Sequence, residues 1–472
     1  MATSRRENSV FCGSREISGE YVILALIFLA LTAVIAESPS SKRTITIKYN
    51  EQCGNRTACN PTENSNGSYN NLVHVIAKGP DDTLHYLWSS IGAPGVLLVR
   101  TTNKASLTVD WDKLMGQEPQ ALMFPEADVL YSVAFVFGKL IEYNDTKDMA
   151  DLSQAYPNVT RATLLEDLHW QDSNKTLNYS THCGDFTSIN AKDADLGTNA
   201  TFSLKFQAFN KSGRSSDLPH LQSTANTSQI ELILDNLGLH YKQSRFAIEL
   251  LVLHDQQTTE DVTLKQTKSI DDEYTPSVFL IYNLKVPSSS KLGSFSQWKP
   301  VTYNDVKKAM SNAVQTKNYG VNTTNYFQPK WSIAHAYYPD VSSLHKAGLN
   351  VSFGLSGDGF YTKTNYSSWW SIAHAYYRDV SSLHKAGLNV SFGLSGDGFY
   401  TKTNYSSWTM SIGYGKPPEE KVSLAIIIII SAGLGIPLIL ILFGGIYIGV
   451  SKSKQSEYEP LNDAPASPSI NS

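Results

Sequence analysis

Cysteine is scarce. The chain has four in 472 residues, Cys12, Cys53, Cys59 and Cys183, too few for disulfides to stand in for a hydrophobic core. No second Cys or His pair accompanies Cys53 and Cys59, so no zinc-finger spacing exists. Charge is also sparse. Only 17% of residues are charged and the net charge is -4. Lys and Arg are scattered without a basic block, which excludes a phosphate-tracking surface and with it nucleic acid as a partner. No His-Glu-x-x-His is present, and Leu355-Ser356-Gly357 lacks the flanking glycine of a nucleophile elbow. Asp271-Asp272-Glu273 lacks the glycine and final Glu of an EF-hand loop and reads as a solvated turn. His85, beside Tyr86 and near Trp88, is a candidate base and reads as a partly buried structural histidine. Nothing assembles into an active site, so the expectation is no enzyme, no metal and no cofactor.

Two uncharged runs are present. Val422 to Ser451 contains no charged residue and includes five consecutive isoleucines, Ile426 to Ile430. As a helix it would be roughly 45 Å long, enough for a hydrocarbon core of ~30 Å. The other run, Tyr21 to Ala36, follows Arg5, Arg6 and Arg15. It is short for a span, and Val34 and Ala36 suit signal peptidase, so residues 1–36 read as a signal peptide. One C-terminal transmembrane helix, 422–451, then leaves 37–421 luminal and 452–472 cytosolic. Lys452 and Lys454 agree with the positive-inside rule.

Asn-x-Ser/Thr sequons fit that placement. There are fourteen, at Asn55, Asn66, Asn144, Asn158, Asn174, Asn178, Asn199, Asn210, Asn226, Asn322, Asn350, Asn365, Asn389 and Asn404, and none in the tail. A coat this dense suits a protease-rich compartment, because glycans block access to loops. Cys12 leaves with the signal peptide. The remaining three permit one disulfide: Cys53–Cys59 is favoured because it closes a short loop, and Cys183 with either stays open.

The luminal part reads as all-β. Thr44–Tyr49 alternates at period two, Val73–Lys78 is a second strand, and His85–Ser90 and Val96–Val99 flank a Gly-Ala-Pro-Gly turn. Val129–Tyr143 reads as a long strand or a short helix. Phe202–Phe209 has apolar residues at every even position. Residues 210–229 form a linker or long loop between a first half, 37–209, and a second, 230–421. One or two β-sandwich-like domains are expected. The second half holds a tandem repeat. Trp331–Trp369 and Trp370–Trp408 are 39 residues each and differ only at Pro339 versus Arg378. A core that accommodates one hairpin has no place for two, so one copy is expected to pack and the other to be extruded or irregular.

Two short signals sit at the C-terminus. Tyr458-Glu459-Pro460-Leu461 fits a tyrosine sorting signal, with Tyr458 and Leu461 filling two pockets of a clathrin adaptor. Gly445 and Gly449 form a small-xxx-small pair that lets a neighbouring helix approach.

Ser269–Phe279, Phe295–Tyr303, Ser456–Asn462 and His85–Val99 together resemble the glycosylated lysosomal membrane protein family, in the same order along the chain. That resemblance implies a glycosylated type I lysosomal protein. It further implies an accessory subunit that shields a multi-pass major-facilitator dipeptide transporter from proteolysis and supports its lysosomal residence. The family's pattern has the 39-residue block once and further luminal cysteines, so its disulfides do not carry over. A tethered luminal hydrolase and a cell-surface adhesion or receptor ectodomain are the rival readings.

Overall fold

The computed structural model describes residues 42–56, 72–145, 152, 160–170, 177–187, 196, 200–241, 244–254, 261–270, 274–276, 278–290, 292–322, 329–341, 345–353, 405–420, 437 and 439–448. The described body is antiparallel β-sheet with few helices. The chain through Pro418 forms one compact unit and Glu419 onward a second.

In the first sheet the order is β1 (Thr44–Tyr49), β2 (Leu72–Lys78), β3 (Thr83–Ser89), β4 (Gly95–Thr101), β7 (Val129–Asn144), β12 (Ser244–His254), β17 (His345–Phe353) and β16 (Ala313–Asn322). β8 (Thr160–Leu164) also pairs with β7. The path continues through β15 (Ser294–Tyr303), β18 (Tyr405–Tyr414), β11 (Thr227–Asp235), β10 (Thr201–Ala208) and β9 (Cys183–Thr187). β14 (Leu280–Val286) pairs with β15 and carries β13 (Thr263–Lys268) on its far side. A ribbon of β5 (Thr108–Val109) and β6 (Leu122–Met123) stands apart.

The two halves of the chain share these sheets. β12 lies between β7 and β17, and β11 between β10 and β18. Residues 210–226 are a loop within this single unit, and β11 has begun by Thr227. The long apolar run at Val129 is a strand of sixteen residues.

The main core lies where the two arms of the sheet face each other. Val73, Val75, Tyr86, Trp88 and Phe135 of the first arm meet Phe202, Phe206, Ile230, Trp298, Trp408 and Met410 of the second. Trp88 stacks on Phe206 with ring centres 4.8 Å apart. A second core covers the opposite face of the first arm. There Leu87, Leu97, Val99 and Val136 meet α1 (Trp111–Gly116) and α2 (Ile333–Tyr337) through Trp111, Leu114, Trp331 and Ile333. Strands buried on both faces read as continuous apolar runs instead of alternating ones, as β3 does: all seven of its residues are buried.

The body draws on both copies of the repeat. Trp331–Phe353 of the first copy supplies α2 and β17, and Tyr405–Trp408 of the second begins β18. Gly92 receives the first copy. Its φ is 73°, Ala93 N–H donates to the Trp331 carbonyl at 2.9 Å, and a Cβ at Gly92 would stand 2.5 Å from that oxygen. The hairpin around Ser356–Gly359 lies outside the described residues.

In the second unit, residues 439–448 are helical and mostly exposed. No helix among the described residues is long and apolar enough to cross a membrane. The rest of 422–451 lies outside the described residues, apart from Pro437. So do the signal peptide, the tail with Tyr458 and Leu461, and Gly449. Gly445 is exposed with no atom close to its Cβ direction.

Candidate functional site

Three side-chain constellations resemble catalytic machinery. The first runs across the face of the first arm beneath α1. His74 of β2, His85 of β3 and Thr101 of β4 lie diagonally on one face, because His85 sits opposite Ile76 and Val99. His74 Nε2 is 2.8 Å from His85 Nδ1, and His85 Nε2 is 3.0 Å from Thr101 Oγ1. At the outer end His74 Nδ1 meets the carboxylate of Glu51, which also accepts from Lys48 at 2.8 Å. Burial, then the neighbouring His74, push His85 down to about 3. Burial likewise lowers His74, against the opposing effect of Glu51. Burial works to raise Glu51, but bonds and charges from His74 and Lys48 keep it below the ordinary carboxylate value. His85, singled out in the sequence as a base, is thus a neutral imidazole in the interior. Its hydroxyl partner, Thr101, is fully buried.

The second constellation centres on Glu142 of β7. Its carboxylate accepts from His240 N at 2.8 Å, from His240 Nδ1 at 2.6 Å and from the Ser244 hydroxyl. In a hydrolase triad the imidazole stands between serine and carboxylate. Here the carboxylate stands between the other two, so it ties His240 to the first residue of β12 and does not polarise a serine through an imidazole. The third pairs Ser332 Oγ with His335 Nδ1 at 2.9 Å at the start of α2. Burial lowers His335, and Ser332 is fully buried. All three hydroxyls, Thr101, Ser244 and Ser332, are closed to substrate. No group of three His, Cys, Asp or Glu side chains among the described residues is arranged to hold a metal. The acidic run Asp271–Glu273 lies outside them.

A fourth network ties the two arms of the sheet together. Asp82, in the turn between β2 and β3, takes Arg43 Nη2 and Arg100 Nε at 2.5 Å each. Arg43 also donates to the Ala77 carbonyl at 3.1 Å and to Asn226 Oδ1 at 2.7 Å. Arg100 donates to the Tyr414 hydroxyl at 3.2 Å and lies 4.8 Å over its ring. Tyr86 OH donates to the Asn226 carbonyl at 2.7 Å. Burial works to raise Asp82, but the two guanidiniums hold it below the ordinary carboxylate value.

The sequons fall in different places. Asn55, Asn178 and Asn210 are exposed. Asn178 Oδ1 accepts from Ser180 N and Oγ of its own sequon at 3.0 and 2.7 Å. Asn144 and Asn226 are half-buried. Asn322 and Asn350 lie within β16 and β17. Asn66, Asn158, Asn174, Asn199, Asn365, Asn389 and Asn404 lie outside the described residues. Cys53 is disulfide-bonded and Cys183 is a free, half-buried thiol, which burial pushes up to about 11; Cys59 lies outside the described residues.

The comparison with known proteins gives this body its context. The family described as glycosylated lysosomal membrane protein matches residues 71–373 and 370–455. The chain belongs to the glycosylated lysosomal membrane protein family. Glycosylated lysosomal membrane protein A of Xenopus laevis is 30% identical over 458 residues, covering 94% of this chain and 99% of that protein. The Danio rerio protein is 31% identical over 408 residues, 83% of this chain and 87% of that protein. The Homo sapiens protein is 28% identical over 408 residues, 84% of this chain and 88% of that protein. The second matched segment of the family starts at Trp370, the first residue of the second repeat copy.

His74, Glu51, Thr101, Arg43, Asp82 and Arg100 were not singled out by the sequence. The one available signal was a histidine at an inward position of two successive apolar strands. Periodicity could not use it, since β2 and β3 bury both faces.

Proposed function

We propose that this protein is a non-enzymatic type I membrane glycoprotein whose luminal body is an accessory, protective subunit of a multi-pass major-facilitator dipeptide transporter. The family membership and the burial of the hydroxyls that meet histidines support this reading. Every histidine–hydroxyl pair described above ends on a fully buried oxygen. The uncharged run Val422–Ser451 is the single span and Gly445 with Gly449 its docking stripe. The transporter partner rests on the resemblance set out under the sequence. Removing the protein from cells and following the transporter by pulse-chase tests the role. A half-life shortened severalfold, restored by a lysosomal protease inhibitor, is expected. An unchanged half-life with normal delivery ends the protective reading.

The tail supplies a separate prediction. Tyr458→Ala leaves the luminal body untouched but removes the residue that fills the adaptor's aromatic pocket. Surface biotinylation should then recover several times more of the variant than of the parent protein. Equal recovery would favour the surface-receptor reading.

A further inference from the structure

We propose that the stripe Glu51–His74–His85–Thr101 is a proton-operated latch, which holds the Asn50–Arg56 segment on the first arm of the sheet while both imidazoles are neutral and releases it in acid. The argument is one of donor parity. A neutral imidazole has one N–H and one lone pair, and a carboxylate only accepts. Starting from Glu51, His74 donates through Nδ1. His74 Nε2 then accepts from His85 Nδ1 at 2.8 Å, and His85 Nε2 accepts the Thr101 hydroxyl at 3.0 Å. Every group in the stripe is satisfied and no two N–H groups oppose each other.

One added proton has a place only if the bond between His85 and Thr101 reverses, with His85 Nε2 now donating. Thr101 must then turn its hydrogen to the Thr102 carbonyl, 2.9 Å away. A second proton has no place, since it would set two N–H groups face to face across the 2.8 Å gap between the rings. The closed stripe therefore holds at most one extra proton. Opened to water, each ring takes its own. Protons thus bind the open form more, and acid favours it. The burial that lowers His74 and His85 acts in the same direction.

What the latch holds is specific. Asn50 Oδ1 accepts from Leu72 N at 2.9 Å. Gln52 bridges to Leu107 O at 2.8 Å and Val109 N at 3.0 Å. Trp111 Nε1 donates to Glu51 O at 2.9 Å. Glu51 thus joins the stripe to the layer carrying α1. The charged groups around it are Lys48 at the end of β1, Arg56 and Asp112 paired at 3.6 Å on the cover, and Asp128, which accepts from Thr102. Phe124 closes the inner side with its ring 4.6 Å from His85. That the trigger is luminal acidity rests on the type I reading; the latch itself does not.

Hydrogen exchange read by mass spectrometry on the full glycosylated chain in detergent tests it, at pH 7.4 and 5.0, with labelling times corrected for intrinsic rate. Peptides covering 50–56 should exchange at least ~10-fold faster at pH 5.0, while peptides of β12 hold their protection. His74→Gln and His85→Gln should each reduce that response to below ~3-fold. Thr101→Val keeps both imidazoles and removes the hydroxyl donor. It should speed exchange of 50–56 at both pH values, and it keeps the test open if a histidine variant fails to fold. Equal exchange of the parent segment at the two pH values overturns the proposal. So does a His85→Gln protein that keeps the full response, or a Thr101→Val protein that exchanges like the parent.

Discussion

Asp82→Asn should destabilise the body by about 3–5 kcal/mol, the usual cost of breaking a buried ion pair from one side. The amide cannot neutralise two guanidiniums, and Arg43 would remain buried with its charge uncompensated. The damage should be global, because Arg43 and Arg100 join the start of the first arm to Asn226, just before β11, and Tyr414, at the end of β18, in the second. Thermal melts at matched glycosylation read it directly. A double variant, Arg43→Met with Asp82→Asn, should recover part of the loss, since the stranded charge is then gone.

The same variant carries a pH signature. Asp82 has a folded pKa below its unfolded value. Its contribution is therefore complete above the unfolded value, near ~3.9, and is lost as pH falls through the folded one. The difference between parent and variant should stay constant from about pH 7 to about pH 5 and shrink only below about pH 4. His85 and His220 behave oppositely. His220 is pushed down to about 4, by burial first and then by Lys308. For both, folding favours the neutral ring, so the stability they carry is complete above about pH 6.5 and declines below it. The body thus combines a carboxylate clasp that survives acid with histidines that yield to it.

The strand pattern was legible wherever one face is less buried. β1 and β10 alternate, and the sequence shows them at nearly their final bounds. Val129–Tyr143 stayed ambiguous because β7 is buried along most of its length, which removes the period-two signal. The polar networks were hidden for a different reason. Arg43, Asp82, Arg100 and Tyr414 are separated by up to 371 positions, and only the closing of the sheet brings them together. Asn226 reads as a sequon among fourteen, yet its amide oxygen accepts from Arg43 and its carbonyl from Tyr86. No local pattern distinguishes an asparagine placed for a glycan from one placed for a guanidinium.

Trp408→Ala should be the most damaging single change in the repeat. Trp408 is 1% exposed and meets Trp298 edge-on with ring centres 6.0 Å apart. Removing so large a buried side chain costs about 3–5 kcal/mol and leaves a cavity in the main core. Trp369 occupies the same place in the first copy, so Trp369→Ala is the internal control. If that control costs as much, β18 does not draw its start from the second copy alone. The composite use of the two copies leads to a companion experiment. Deleting 354–392 retains every described residue of β17 and β18 and restores a single 39-residue block with Pro339. Twelve residues would then link Phe353 to Tyr405, a reach of up to ~40 Å when extended. The deletion should melt within about 2 °C of the parent, because no described packing is lost. Adding Trp408→Ala to it should cost as much as in the full chain, since no second Tyr-Ser-Ser-Trp remains to take the place of the first. A deletion protein that cannot fold would mean that the body needs residues between the two halves of the composite block.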